Sequence, residues 1–272
     1  MELGVKIVMV GCGNMGRAML AGWLASGRLA PEEVDVVEPG EDNRAAAADL
    51  GVRVHADAEG VRGLSPKIVM VAVKPQVIAQ VLPAYKGLVE RGAAVLSIAA
   101  GTPIASFEQI VGSGAAVVRC MPNTPAAIGA GMMVTVANAN ADAELRAYVA
   151  DLLSASGEVT EIADEALMDA VTAVSGSGPA YVFHFIEALT AAGEKAGLPA
   201  DKAALLARQT VYGAAKLAFE SGTEPAELRR QVTSPNGTTA AALAVLMAED
   251  GLGDLLARAV EAARKRSVEL GR

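Results

Sequence analysis

From residue 5 to residue 163, short apolar runs alternate with longer stretches whose apolar positions recur every three or four residues. The runs are rich in β-branched residues. After VKIVMV at the start come VDVV (34–37), VRV (52–54), KIVMVAV (67–73), AAVLSIA (93–99), AAVVR (115–119), MMVTV (132–136) and EVTEI (158–162). Strand-like runs separated by helix-like segments predict an α/β unit with a doubly wound, mostly parallel sheet and helices on both faces. After Asp164 the texture changes to long Ala- and Leu-rich stretches punctuated by GP, LP, EP and SP, which predicts a second unit made only of helices. The change of pattern sets the domains at 1–163 and 164–272, with no Gly/Ser tether between them.

The first apolar run breaks into Gly11-x-Gly13-x-x-Gly16, and an amphipathic stretch opens at Asn14. Strand, tight turn and helix start in this order form the architecture in which a dinucleotide pyrophosphate rests on backbone N–H groups. Gly11 allows the turn, Gly13 lets the backbone approach the phosphates, and Gly16 lets the helix lie close to the strand. A ligand-free Gly-rich turn is the competing reading of a lone motif.

Doubly wound sheets bind ligands at the carboxyl ends of their strands. The segments to read are therefore Ala72-Val73-Lys74-Pro75, Ala99-Ala100-Gly101-Thr102-Pro103 and Cys120-Met121-Pro122-Asn123-Thr124-Pro125. Their small residues let a flat ring lie against the backbone, and Asn123 offers an amide to such a ring or its ribose. Prolines at strand ends are equally ordinary stop signals. Lys74 suits a phosphate or a carboxylate, and reads equally as a solvated charge.

In the helical half, runs such as AALLARQTVYGAAKLAFE (203–220) place Ala on several faces. About 108 residues of this kind supply a modest core of their own, which points to an interleaved dimer; high helix propensity alone is the other account of these alanines. Two glycine- and hydroxyl-rich clusters precede helical stretches there. Val174–Tyr181 carries Pro179 as a helix-start signal. Thr233-Ser234-Pro235-Asn236-Gly237-Thr238-Thr239 brings hydroxyls and free N–H groups to a helix N-terminus, a natural cradle for a carboxylate.

Composition narrows the classes. The net charge of −8 and pI near 4.9 give no basic stripe for a nucleic-acid backbone. No run reaches the ~20 apolar residues of a membrane helix, and the opening run lacks the basic leader of a signal peptide. Cys12 and Cys120 show neither metal-ligand spacing nor a disulfide framework, so no metal is expected and a reducing cytoplasm fits. The two histidines, His55 and His184, read as a residue after a peripheral strand and as a core or interface residue on a helix.

Taken together, GCGNMG, AVKP, SIAAGT, RCMPNTP, SGSGPAY and SPNGTT stand in the order and spacing of the pyrroline-5-carboxylate reductases, and the resemblance covers the chain from about Val5 to Leu270. It implies a Rossmann-type domain followed by a helical dimerisation domain, assembly as a homodimer that in the family often builds into decamers, and NADPH- or NADH-dependent reduction of the small-molecule imine 1-pyrroline-5-carboxylate to L-proline. By matching position it assigns Val10, Gly11, Cys12, Gly13, Asn14 and Met15 to the cofactor phosphates. Ala72, Val73, Lys74, Pro75, Ile98, Ala99 and Ala100 go to the nicotinamide half, with Asn123 nearby. Glu165, Ser234, Gly237, Thr238 and Thr239 go to the substrate, with the SPNGTT loop of one subunit completing the site of the other.

Two departures from the family pattern matter. Asn236 replaces the usual Gly, and Asn tolerates left-handed backbone angles, so the turn is expected to survive. Glu38 stands 22 residues after Gly16, where an acidic side chain bonds the ribose 2′-hydroxyl of NAD; with Glu41 and Asp42 it would repel a 2′-phosphate, while Arg44 could turn inward and pair with one. NADH is expected to be used at least comparably to NADPH. A cyclic imine protonates readily in water, so positioning carries the chemistry, with the Thr239 hydroxyl on the imine nitrogen as catalytic residue and Gly237 and Thr238 on the carboxylate. A β-hydroxyacid dehydrogenase would need a lysine where Val182 stands after Gly176-Ser177-Gly178. A non-catalytic NAD(P) sensor would have no use for SPNGTT.

Overall fold

The computed structural model describes residues 4–271; residues 1–3 and 272, which the sequence assigns to the two domains, lie outside the described residues. The chain divides into two units, one of the residues up to Gly176 together with those from Arg264 onward, the other Ser177–Ala263. The first unit contains β1 (Ile7–Val10), α1 (Asn14–Ala25), β2 (Val34–Val37), α2 (Glu41–Ala48), β3 (Arg53–His55), β4 (Ile68–Val71), α3 (Ile78–Val81) and α4 (Lys86–Glu90). It continues with β5 (Ala94–Ser97), α5 (Ile104–Val111), β6 (Val117–Met121), β7 (Gly131–Ala137), α6 (Ala143–Ser154), β8 (Gly157–Glu161) and α7 (Met168–Val171). Every predicted run forms a strand.

The strands make one sheet in the order β3-β2-β1-β4-β5-β6-β7-β8. Chain direction away from β1 reverses between β1 and β4, which opens the crevice where such sheets bind ligands. All neighbours run parallel except β6 and β7. The link 122–130 is too short for a crossover helix, so β7 can only turn back on β6.

The central strands β1, β4 and β5 are almost wholly apolar because both their faces are covered, while the edge strands β3 and β8 carry polar residues. Ile7 and Met9 of β1, with Ile68 and Met70 of β4, face Met19, Leu20 and Trp23 of α1 and Leu152 of α6. Val8, Val10, Val69 and Val71 face the other way, onto Ile78, Leu82, Leu88 and Phe107. Residues 164–176 follow β8 as the turn Glu165–Leu167, α7 and a π-helical turn at Thr172–Gly176, and Met168 joins the second of these cores.

The second unit contains α8 (Gly178–Lys195), α9 (Ala200–Glu220), α10 (Pro225–Gln231), α11 (Thr238–Leu246) and most of α12 (Leu252–Leu270). α8 and α9 form a hairpin in which Gly193 lies against Ala203 and Leu198. Ala203 and Ala207 are its buried hydrophobics, while Phe183, Leu205, Tyr212, Leu217 and Phe219 are all more than half exposed. Removing such side chains from water stabilises by about 1.5–3 kcal/mol each. Within one chain the helical unit therefore leaves an apolar face uncovered. Among the described residues no helix is long and apolar enough to cross a membrane.

Candidate active site

The β1–α1 loop is built as a phosphate cradle. Gly11 has φ +85°, and a Cβ on it would lie 2.7 Å from Cγ1 of Val73 and 3.1 Å from the Ala72 carbonyl oxygen, so only glycine lets this turn press on the end of β4. A Cβ on Gly16 would lie 3.3 Å from that of Ala72, which is the close helix packing expected of the third glycine. At Gly13, the residue capping α1, nothing stands within 4 Å of the Cβ position. No side chain caps that helix and its first turn carries no acid, so backbone donors and the positive end of the helix face open space. These residues fit a dinucleotide pyrophosphate.

Glu38 closes the loop from beside it. Its carboxylate accepts the Cys12 N–H at Oε2 and the Gly40 N–H at Oε1, both at 2.8 Å, and the side chain is 9 % exposed. It also lines a cleft of about 430 Å³ with Val10, Gly11, Asp57, Val73 and Tyr85. Arg44, the candidate partner for a 2′-phosphate, spends Nη1 on the carbonyl oxygens of Glu38 (3.0 Å) and Pro39 (2.8 Å). The Tyr85 hydroxyl is pushed up to about 12 by burial and by the charge of Asp57.

Next to this loop, hydrogen bonds fix the ends of β4 and β5. Ala72 N–H donates to Val10 O (2.8 Å), Ile98 N–H to Val71 O (3.1 Å) and Ala99 N–H to Ser97 Oγ (3.2 Å). Val10–Met15, Glu38, Ala72–Pro75 and Ile98–Ala100 thus share the carboxyl edge of the sheet. Lys74 is exposed at the start of the turn Pro75–Val77.

Two of the expected ligand contacts also carry hydrogen bonds within the protein. The Asn123 oxygen accepts the Met132 N–H (2.8 Å) and its nitrogen donates to Ser175 O (3.2 Å), so its amide ties the β6–β7 link to the π-helical turn. Glu165 Oε1 accepts the Ile104 N–H (2.9 Å) and an Arg119 N–H (2.8 Å). It satisfies the first turn of α5 and neutralises Arg119, which is 5 % exposed on β6. A cation inside a buried strand requires such a partner.

Neither cysteine is activated. Burial, then the charge of Glu38, raises the Cys12 thiol to about 11, and burial raises Cys120 to about 12, so both stay protonated near neutrality. His55 donates from Nε2 to buried Asp35 at 2.7 Å on the peripheral strand pair. His184 is exposed and lies 3.1 Å from Glu187, so within one chain it is not the core residue its pattern suggested. Among the described residues no group of three or more His, Cys, Asp or Glu side chains gathers to hold a metal.

In the second unit, the segment 233–239 forms the N-terminus of α11. Asn236 adopts φ +59°, as its tolerance for left-handed angles predicts. Gly237 caps the helix without a side-chain bond and donates its N–H to Ser234 O (3.1 Å); Thr238 is the first helical residue and Thr239 follows, half-buried.

Residues 165–270 match the family model for pyrroline-5-carboxylate reductase dimerisation. The pyrroline-5-carboxylate reductase of Pseudomonas aeruginosa is 43 % identical over 267 residues, covering 97 % of this chain and 96 % of that protein. The chain belongs to the pyrroline-5-carboxylate reductases. Residues 6–101 also match the model of F420-dependent NADP oxidoreductases. The Synechocystis reductase is 42 % identical over 99 % of this chain and 100 % of its own. Among solved structures, the reductase of Coxiella burnetii superposes with TM-score 0.92 at 34 % identity, covering 98 % and 99 % of the two chains. That of Plasmodium falciparum, solved with NADP bound, gives 0.86 at 31 % over the whole of both.

Reading the ends of the first, second, fourth, fifth and sixth strands missed three residues that the structure brings beside the candidate site residues. Asp57 and Tyr85 line the cleft beside Glu38, and the end of the third strand was the place to look for the first. Arg119 was visible as the one charge in an otherwise apolar strand, AAVVR.

Proposed function

We propose that this chain reduces 1-pyrroline-5-carboxylate to L-proline with NADH or NADPH. The observation that carries the reading is the presence, in one chain, of two helix N-termini capped by glycine alone. One stands at the carboxyl edge of a doubly wound sheet, the other bears Thr238 and Thr239 in its first turn. The bound nicotinamide supplies the hydride.

The roles divide at the boundary in the sequence pattern, 1–163 for the dinucleotide and 164–272 for substrate and dimerisation, although packing keeps residues up to Gly176 and from Arg264 onward with the sheet. Val10–Met15 hold the phosphates, and Glu38 takes the ribose hydroxyl. Ala72–Pro75 and Ile98–Ala100 flank the nicotinamide half with Asn123 beside them, and Glu165 contacts the substrate; both of these polar residues also hold the adjoining loops in place. Ser234 and the backbone of the Gly237–Thr238 turn hold the substrate carboxylate, with the Gly237 N–H itself closing the turn on Ser234 O, and the Thr239 hydroxyl bonds the imine nitrogen. The imine takes its proton before reduction, so no strongly shifted acid is required, and the protein contributes mainly by orientation. Because Glu38 faces the cleft while Arg44 is tied to backbone carbonyls, NADH is used at least comparably to NADPH. The dimer forms through the helical unit, with further assembly into decamers, in the cytoplasm.

The test is oxidation of NADH and NADPH with pyrroline-5-carboxylate and its six-membered analogue, set beside reduction of NAD+ and NADP+ with 3-hydroxy acids. Turnover with the imines is expected. Turnover with hydroxy acids alone, or with nothing, refutes the reading, and a kcat/KM favouring NADPH more than tenfold refutes the part about the cofactor.

A further inference from the structure

The last turn of α12 lies in the first unit, on the loop that follows β5. The Ser267 hydroxyl, 5 % exposed, donates to Asp169 Oδ1 at 2.6 Å and so fastens that turn to α7. The Gly271 N–H donates to Ser267 O (3.1 Å), which carries the chain over buried Gly101 at φ +73°. The fit there is close. A Cβ on Gly271 would lie 2.8 Å from the Gly101 carbonyl oxygen, and one on Gly101 would lie 3.6 Å from the Gly271 nitrogen and 3.7 Å from Leu270 Cβ.

This loop needs support from outside. Ala99, Ala100 and Gly101 have no side chains long enough to anchor it, and a glycine at positive φ leaves it the widest choice of conformations. Val71 O and Ser97 Oγ hold its start, Glu165 holds its far end at Ile104, and nothing in those contacts restrains Gly101 itself. The C-terminal turn supplies the missing restraint. A site must hold its reacting partners to about 0.5 Å, and a misplacement of about 1 Å costs roughly 100-fold in rate.

We infer that the turn Ser267–Gly271 is a positioning element for the loop Ile98–Gly101, so that orientation of the nicotinamide half, and not grip on the adenosine half, depends on the end of the last helix. The inference rests on the reading that Ile98–Ala100 flank the nicotinamide. Gly271→Ala drives a methyl group against Gly101, Ser267→Ala frees the turn from Asp169, and Ser267→Thr keeps the hydroxyl.

The experiment uses the full chain and compares binding of ADP-ribose, binding of NADH and single-turnover oxidation of NADH by the imine. Gly271→Ala and Ser267→Ala are expected to bind ADP-ribose within about twofold of wild type while the single-turnover rate falls roughly ten- to 100-fold, and Ser267→Thr to restore it. Wild-type rates in both variants overturn the inference, as does parallel loss of ADP-ribose and NADH binding, which would mark a general loss of structure. If wild-type protein itself binds neither nucleotide, the assignment of the dinucleotide site falls instead, and the inference with it.

Discussion

Glu38 does two things with one carboxylate, and a single amide substitution separates them. It accepts the buried Cys12 N–H and the exposed Gly40 N–H while its charge faces the cleft. In Glu38→Gln the amide oxygen turns to Cys12, the costlier donor to strand, and the NH2 turns to Gly40, whose N–H goes to water. The glycine loop survives at a cost of about 1 kcal/mol. The charge is gone. A 2′-phosphate about 5 Å from that position would be relieved of about 1–3 kcal/mol per pair of unit charges at the dielectric of a protein surface. At 1.36 kcal/mol per tenfold this is roughly a five- to 150-fold shift of the NADPH:NADH ratio of kcat/KM toward NADPH. Glu38→Ala also strands the Cys12 N–H, and is expected to lower kcat/KM for both nucleotides. Steady-state kinetics with each nucleotide at saturating imine reads both effects. An unchanged ratio in Glu38→Gln would show that the side chain does not face the cofactor ribose.

Thr239→Ala removes one hydrogen bond to the imine, so kcat/KM for the imine should fall by about 1–3 kcal/mol, roughly five- to 150-fold, with NADH affinity unchanged; full activity refutes the assigned role. Gly11→Ala forces a methyl group against Val73 at positive φ, and overpacking of about 1–3 kcal/mol should appear as a lower Tm together with weaker nucleotide binding. Glu33 is held below the ordinary carboxylate range chiefly by its hydrogen bond from Lys6 at 2.8 Å. A depressed folded-state pKa adds stability above the unfolded value, and that stability is lost as pH falls through the folded value. Lys6→Ala should therefore lower the Tm near neutrality and flatten its decline below about pH 4.5; parallel Tm curves for the two proteins would contradict this.

The sheet was legible because the central strands, covered on both faces, are almost wholly apolar, and the remaining runs stay rich in β-branched residues. The direction of β7 was not in its own residues, MMVTV, but in the shortness of the link before it. The glycine loop could be read residue by residue, since each of Gly11 and Gly16 answers to a contact that a Cβ would spoil. Asn123 and Glu165 were harder, because a polar side chain at a strand end looks the same whether it meets a ligand or a neighbouring loop. The structure adds the loops they hold, through the Met132 and Ile104 N–H groups. The division at residue 163 follows composition, whereas packing carries residues up to Gly176, and the end of α12, with the sheet. No local pattern announces a helix end that comes home from so far along the chain.

The sparse interior of the helical half governs how the protein comes into being. The sheet has its own apolar layers and can form within one chain at a rate indifferent to dilution. Ala203 and Ala207 cannot nucleate their half in the same way, so it waits for a collision. Recovery from denaturant should run in two stages, the later one slowing in proportion as the solution is thinned.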